Sequence, residues 1–202
     1  MEDRPTEAMM RLDAHSLRGL AHPLRVRVLE VLRSDGPATA TMLANRLGED
    51  SGNMSWHLRQ LATHGFIAED KERGTKRERW WFALHKYIGV EQSDFLSEQE
   101  LRGLLSTLKK AVITEQFRRA EEFTDQDWPT RWQEAAAVGY WRFRLSSAEL
   151  GDLRTELAAL FERWEARRAE APEGSDGEDV QDVQDVEDVV LQFQGFPYRP
   201  VP

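Results

Sequence analysis

Two clusters of side chains in this 202-residue chain have types and spacing suited to recognition rather than to bond-making. The stretch "SGNMSWHLRQLATHG", residues 51–65, mixes amides, hydroxyls and a guanidinium with a large ring, and "KERGTKRER", residues 71–79, gathers cations around Gly74. Asn53 and Gln60 carry the amide geometry that reads adenine in a major groove, and Arg59 can pair with guanine or clamp a phosphate. Ser51 and Ser55 suit phosphate oxygens, with a helix N-terminus in support. Arg73, Lys76, Arg77 and Arg79 place four positive charges within seven positions, which fits a hairpin tip against a phosphate backbone. Glu72 and Glu78 partly cancel them, so an ordinary charged turn is the competing reading.

Other chemistries find little to work with. There is no cysteine, which excludes disulfides and thiolate metal sites and fits a reducing cytosol. His57 and His64 are seven residues apart, too far along one helix to chelate an ion alone, and His15, His22 and His85 have no neighbouring ligand motif. No metal and no cofactor is therefore expected. With no Gly-rich phosphate loop, no Ser elbow and no Cys, the chain is not read as an enzyme. No apolar run approaches the roughly 18 residues of a membrane span, so a cytoplasmic protein without a membrane partner is expected.

A net charge of −9 argues at first against a polyanionic partner, but its distribution reverses that. Residues 1–87 hold 14 Lys+Arg against 12 Asp+Glu, whereas residues 88–202 hold 13 against 24. Nine of those acids fall between Glu170 and Asp188, a stretch with no basic residue that reads as a solvated linker.

The elements that must position the first cluster are short helices. "LRGLAHPLRVRVLEVL" has helical spacing broken at Pro23, which can itself open the next helix. "TATMLANRLGED" is a helix capped by Thr39 or Thr41, and the stretch from Ser51 is a longer one that Ser51 can cap and Gly65 can end. "FIAED" and "RERWWFAL" then read as a hairpin. A helix-turn-helix needs a small residue at the crossing, a glycine in the turn and apolar anchors on the second helix. Ala44, Gly48 and Met54 meet those needs, and Leu58 and Leu61 continue the stripe. If that stripe faces the core, Asn53, Ser55, Trp56, Arg59, Gln60 and Thr63 lie outward. Trp56 has a single donor, so its role is contact and positioning rather than base reading. Thr39 completes the set of DNA-contact candidates.

The second half opens with a long helix from "SEQEL", where Ser97 and Glu100 suggest a capping box. "DWPTRWQEAAAVG" is a shorter helix, and "YWRFRLS" and "VVLQFQGF" alternate like half-buried strands. Between them Ser146 and Glu149 form a second capping box, ahead of a helix striped by Leu150, Leu153, Leu157, Leu160 and Trp164. A second copy could complete the sheet. Trp128, Trp132, Trp141 and Trp164 either pack the core or line a ligand pocket.

Through "LAHPLRVRVLEVL", "MLANRLG", "SGNMSWHLRQLATHGF" and "RGTKRERWW", residues 16–87 resemble the winged-helix DNA-binding domain of the ArsR-like transcriptional regulators. The resemblance implies a homodimer whose recognition helices enter successive major grooves while the wings touch backbone or minor groove. Metal-sensing members carry cysteines on the helix before the recognition helix; "MLANRLG" has none, which points to the non-metal members with an added C-terminal part.

The expected architecture is mainly α with small β: an N-terminal winged helix-turn-helix domain plus a C-terminal helical or α+β dimerisation or effector region. Its parts are a flexible N-terminus (1–15), the winged helix-turn-helix (16–88), a helical region with a strand near 140–145 (89–170), an acidic disordered linker (171–187) and a terminal strand and tail (188–202). The expected partners are a double-stranded DNA operator, a second copy and, as an option the aromatic residues leave open, a small-molecule effector. The alternative is a winged helix used as a protein-interaction module without specific DNA binding.

Overall fold

The computed structural model describes residues 7–75, 78–170 and 187–198. Strand β1 (Glu7–Arg11) leads into α1 (Ala14–Leu20) and α2 (Pro23–Ser34), then β2 (Ala38–Thr39), α3 (Ala40–Leu47) and α4 (Ser51–Thr63). Strands β3 (Ile67–Thr75), β4 (Glu78–Ala83) and β5 (His85–Gly89) follow, and helices α5 (Gln99–Asp125), α6 (Thr130–Ala135) and α7 (Ser147–Glu170) complete the order. The architecture is mostly helical with small sheets, as the sequence suggests.

The local chemistry sets most boundaries. Pro23 occupies the first turn of α2, with the His22 ring accepting from Leu24 N–H as its cap. Thr39 caps α3 through a bond from Met42 N–H. Gly48 and Gly65 both have positive φ, 68° and 77°, where the chain leaves α3 and α4 in a left-handed turn. At α4, however, the cap is Asp50 rather than Ser51, because a carboxylate one residue earlier reaches two N–H groups at once. At α5 the cap position is Glu98, with no side-chain bond, so the box expected of Ser97 and Glu100 does not form. The Ser146–Glu149 box does form, each side chain accepting from the other's backbone N–H.

Two sheets are built around this helical frame. β4 is the centre of an antiparallel trio, pairing Trp81 with Ala38 on one side and Glu69 on the other. The β3–β4 hairpin is the one anticipated from "FIAED" and "RERWWFAL". The second sheet was not anticipated: β1 runs parallel to β5, with Met9 opposite Tyr87 and Arg11 opposite Gly89. Residues 7–15 are thus ordered, in place of the flexible N-terminus expected over 1–15; Asp13 even forms a capping box with Ser16 at the start of α1. Residues 1–6 lie outside the described part.

The core of this first unit is apolar and continuous, from Leu17 and Leu29 through Leu43, Met54, Leu58 and Leu61 to Phe66 and Ile67. Helix α5 closes it with Leu101, Leu105, Leu108 and Ala111, packing on α1 and α2 of the same chain. Ion pairs reinforce that contact: the buried Glu115 carboxylate lies among Arg27, Arg118 and Arg119. Burial alone would raise the Glu115 carboxyl, but the bond and charge of Arg118, with Arg119 and Arg27, outweigh it and hold it below its ordinary value.

The chain divides into two compact units, the second beginning at Trp128. In the second, residues 136–146 and 187–198 have no regular structure, so neither expected strand forms. Alternation makes a strand only when an edge is available to pair with, and among the described residues neither segment finds one. Residues 171–186 of the acidic linker lie outside the described part.

Candidate nucleic-acid interface

Helix α4 presents two unlike faces. Met54, His57, Leu58 and Leu61 are buried. Asn53, Trp56, Arg59 and Thr63 are exposed, while Ser55 and Gln60 are half-buried at the margins. Trp56 keeps 47 % of its surface open, its ring held edge-on to His57 at 4.8 Å between centroids. The stripe spacing therefore places the ring where the sequence reading puts it, outside the core.

Around the N-terminus of α4 the polar groups are already engaged. Asp50 Oδ1 accepts from the N–H groups of Gly52 and Asn53 at 2.8 and 3.0 Å. Asn53 Nδ2 donates to Glu49 at 3.3 Å, and Ser55 Oγ donates back to the Ser51 carbonyl at 2.9 Å. A carboxylate occupies the positive end of the helix, so the support expected there for a phosphate at Ser51 and Ser55 is taken by the protein's own anion. Arg59, in contrast, has no ion-pair partner among the described residues.

The hairpin is organised by an acid. Asp70 is buried and accepts from the N–H groups of Glu72 and Arg73, fixing the irregularity between Asp70 and Thr75. A Cβ on Gly74 would lie 3.2 Å from the Asp70 carbonyl of its own strand and 3.3 Å from that of Glu78 on β4, so a side chain here would be tightly confined. Arg73 stands 3.6 Å from Asp70 and 5.9 Å from the Trp80 ring; Arg79 stands 3.8 Å from Glu69. Both guanidinium groups are substantially exposed and tethered at their bases. Lys76 and Arg77 lie outside the described residues. Lys71, not singled out from the sequence, is exposed on β3 with no ion-pair partner among the described residues.

One candidate falls elsewhere. Thr39 is only 2 % exposed and its hydroxyl is committed to capping α3, so its place is structural. Conversely, the sequence reading passed over a cluster behind the exposed face of α4: His57 lies 4.6 Å from the His22 ring, with Arg25 alongside. The signal was present, since His57 is three residues after Met54 and four before Leu61 and so shares their face. His57 Nδ1 is buried without a hydrogen-bond partner. Burial first, then the charges of His22 and Arg25, hold its pKa below the ordinary value, with Glu49 opposing weakly. Two other histidines also pair, His15 stacking on His64 at 4.4 Å between ring centroids. Among the described residues no three metal-ligating side chains converge.

Two short helices joined at a left-handed glycine, with a hairpin following them, define a helix-turn-helix domain, and the family described as a helix-turn-helix domain matches residues 20–70. Two curated relatives from Mycobacterium tuberculosis carry the name uncharacterized HTH-type transcriptional regulator: Rv0081 of strain H37Rv and MT0088 of strain CDC 1551. Each is 31% identical over 67 residues, covering 33% of this chain and 59% of the relative. The chain thus spans somewhat under two thirds of the length of these relatives. Among solved structures, that of M. tuberculosis Rv0081 is similar at 22% identity and a TM-score of 0.32, over 53% of this chain and 91% of that one. A mutant of Lactococcus lactis ZitR in apo form is similar at 12% identity and a TM-score of 0.31, over 71% and 83%. No helix among the described residues is long and apolar enough to cross a membrane.

Proposed function

We propose that the chain is a sequence-specific DNA-binding transcriptional regulator of the ArsR-like winged-helix type, acting as a cytoplasmic homodimer. Helix α4 enters the major groove, with Asn53, Arg59 and Gln60 reading base edges and Trp56 placing its ring on sugar or a thymine methyl. Ser51 and Ser55 serve as outer phosphate contacts. The β3–β4 hairpin is the wing, bringing Arg73, Lys76, Arg77 and Arg79 to the backbone. The observation that carries this reading is the division of α4: one face sealed into the core, the other bearing an amide, an exposed ring and an arginine with no ion-pair partner among the described residues. Control by a small-molecule effector belongs to the C-terminal half, where the exposed tryptophans supply an aromatic surface.

Selection from a random duplex library, followed by mobility shifts across a salt series, tests the reading. A reproducible motif should emerge, with affinity falling steeply as salt rises and a shallower slope once Lys76 and Arg77 are neutralised. Absence of both an enriched motif and salt-dependent binding would favour the alternative, a winged helix that binds protein.

A further inference from the structure

Helix α7 spaces Leu150, Leu153, Leu157, Leu160 and Trp164 by alternating steps of three and four residues. That period of 3.5 is the period of a seam that keeps facing a second helix along its length. Its own chain covers this seam only in part: Leu150, Leu153 and Leu157 are half-buried, with Gly195 close against Leu150. None of its large side chains is buried, and toward the C-terminal end Leu160 and Trp164 remain 37% and 55% exposed. Beside the seam, Glu156 precedes Leu157 and Arg163 precedes Trp164, one heptad apart on the same edge and opposite in sign. Neither has an ion-pair partner among the described residues.

We propose that α7 pairs with α7 of a second copy of this chain, antiparallel, about a two-fold axis near Ala158 and Ala159. In that register Leu157 packs on the partner's Leu160 and Leu153 on the partner's Trp164, and the two-fold repeats both layers. Glu156 then faces the partner's Arg163, and Arg163 the partner's Glu156, so the charges close twice. Arg154 comes beside the partner's Phe161. A parallel pair wastes this pattern, since it sets Glu156 against the partner's Phe161 and leaves Arg163 without an acid. The inference rests on the homodimer reading above and adds the surface, the orientation and the register.

Sedimentation equilibrium of the full chain decides it, using Glu156→Arg, Arg163→Glu, their combination, and an equimolar mixture of the two single variants. Both sites are exposed and polar, and circular dichroism checks that helix content is unchanged. Each single variant should raise the dimer dissociation constant roughly tenfold, because two attractive contacts become two repulsive ones. The combined variant should return to within about threefold of wild type, and the mixture should form a heterodimer as tight as wild type. Single variants that weaken the dimer without rescue in the mixture would overturn the antiparallel register. A wild-type dimer untouched by every variant would place dimerisation on another face and sink the α7 pairing alone; a wild-type monomer would remove the homodimer reading as well.

Discussion

The two units of this chain spend their apolar residues in opposite ways. In the first, ending at Asp127, most leucines of α1 to α5 are turned into a continuous core, and the large apolar side chains left outside, among them Met9, Trp56, Leu96 and Phe117, are the minority. In the second, from Trp128, Val138, Tyr140, Trp141 and Phe143 are themselves surface, and no residue of α7 from 147 to 167 is buried. An exposed ring in the first unit is therefore a local feature that calls for a local partner. In the second, exposure is the general condition, and it calls for a surface-wide cover of the kind one helix seam can offer another.

Truncating the core is the harshest way to test that contrast. Leu58 is fully buried between α4 and the rest of the core, so Leu58→Ala should cost about 2–5 kcal/mol of unfolding free energy, from lost transfer and from the cavity left behind. Urea denaturation followed by circular dichroism measures it. A cost under 1 kcal/mol would show that the first unit is not packed as described. Next in size comes the outer face of the same helix. Arg59→Ala should leave the urea midpoint nearly unchanged and weaken specific DNA binding by about 1–3 kcal/mol, roughly five- to 150-fold. Equal loss on specific and random duplex would reassign Arg59 from base reading to a phosphate contact.

Much of this division was legible before any coordinates. Pro23, Gly48 and Gly65 punctuate the chain where a helix must begin or end, and the Met54, Leu58, Leu61 spacing fixes the orientation of α4 to within a few tens of degrees. What could not be read depended on distant partners or on close competition. The parallel pairing of β1 with β5 joins segments about 80 residues apart and has no local signature. Asp50 and Ser51 are both good caps, and only the backbone geometry chooses the carboxylate. The pairing of the histidines, His22 with His57 and His15 with His64, exists only once α1, α2 and α4 are packed, so no local pattern announces it. In the second unit the alternation around Trp141 is as regular as that around Trp80, but Trp80 lies between two strands and Trp141 has none.

The His22–His57 pair gives the first unit a pH dependence of known sign. Both rings have pKa values below the ordinary one, for burial first, then for the charge of Arg25 and, at His57, of His22. In the unfolded chain each takes a proton near pH 6.5, while the folded chain resists it. Stability is thus complete above about pH 6.5 and is lost as pH falls from there through the folded values. The depressed carboxyls of Asp13 and Glu115 act later, since their loss begins only below their unfolded values near 3.8 and 4.5. Urea midpoints between pH 7.5 and 5 should therefore fall for wild type and flatten in a His22→Gln/His57→Gln variant. A profile equally steep in both would move the effect to other groups.

The smallest expected effect is the one that most directly probes the second unit. Trp164 is the largest side chain on the α7 seam, and deleting a ring of that size from a core ordinarily costs about 3–5 kcal/mol. Here the ring is more than half exposed, its described neighbour being the Arg167 guanidinium at 5.1 Å, a contact worth about 0.5–1 kcal/mol where solvent reaches it. In dilute protein, where any self-association has dissociated, Trp164→Ala should shift unfolding by no more than about 0.5–1 kcal/mol. At concentrations where the chain associates the same substitution should weaken association, because the ring is then taken from water by the partner. A large loss of stability in dilute solution would mean that the ring is covered by its own chain, and the contrast between the two units would fail at its most exposed aromatic.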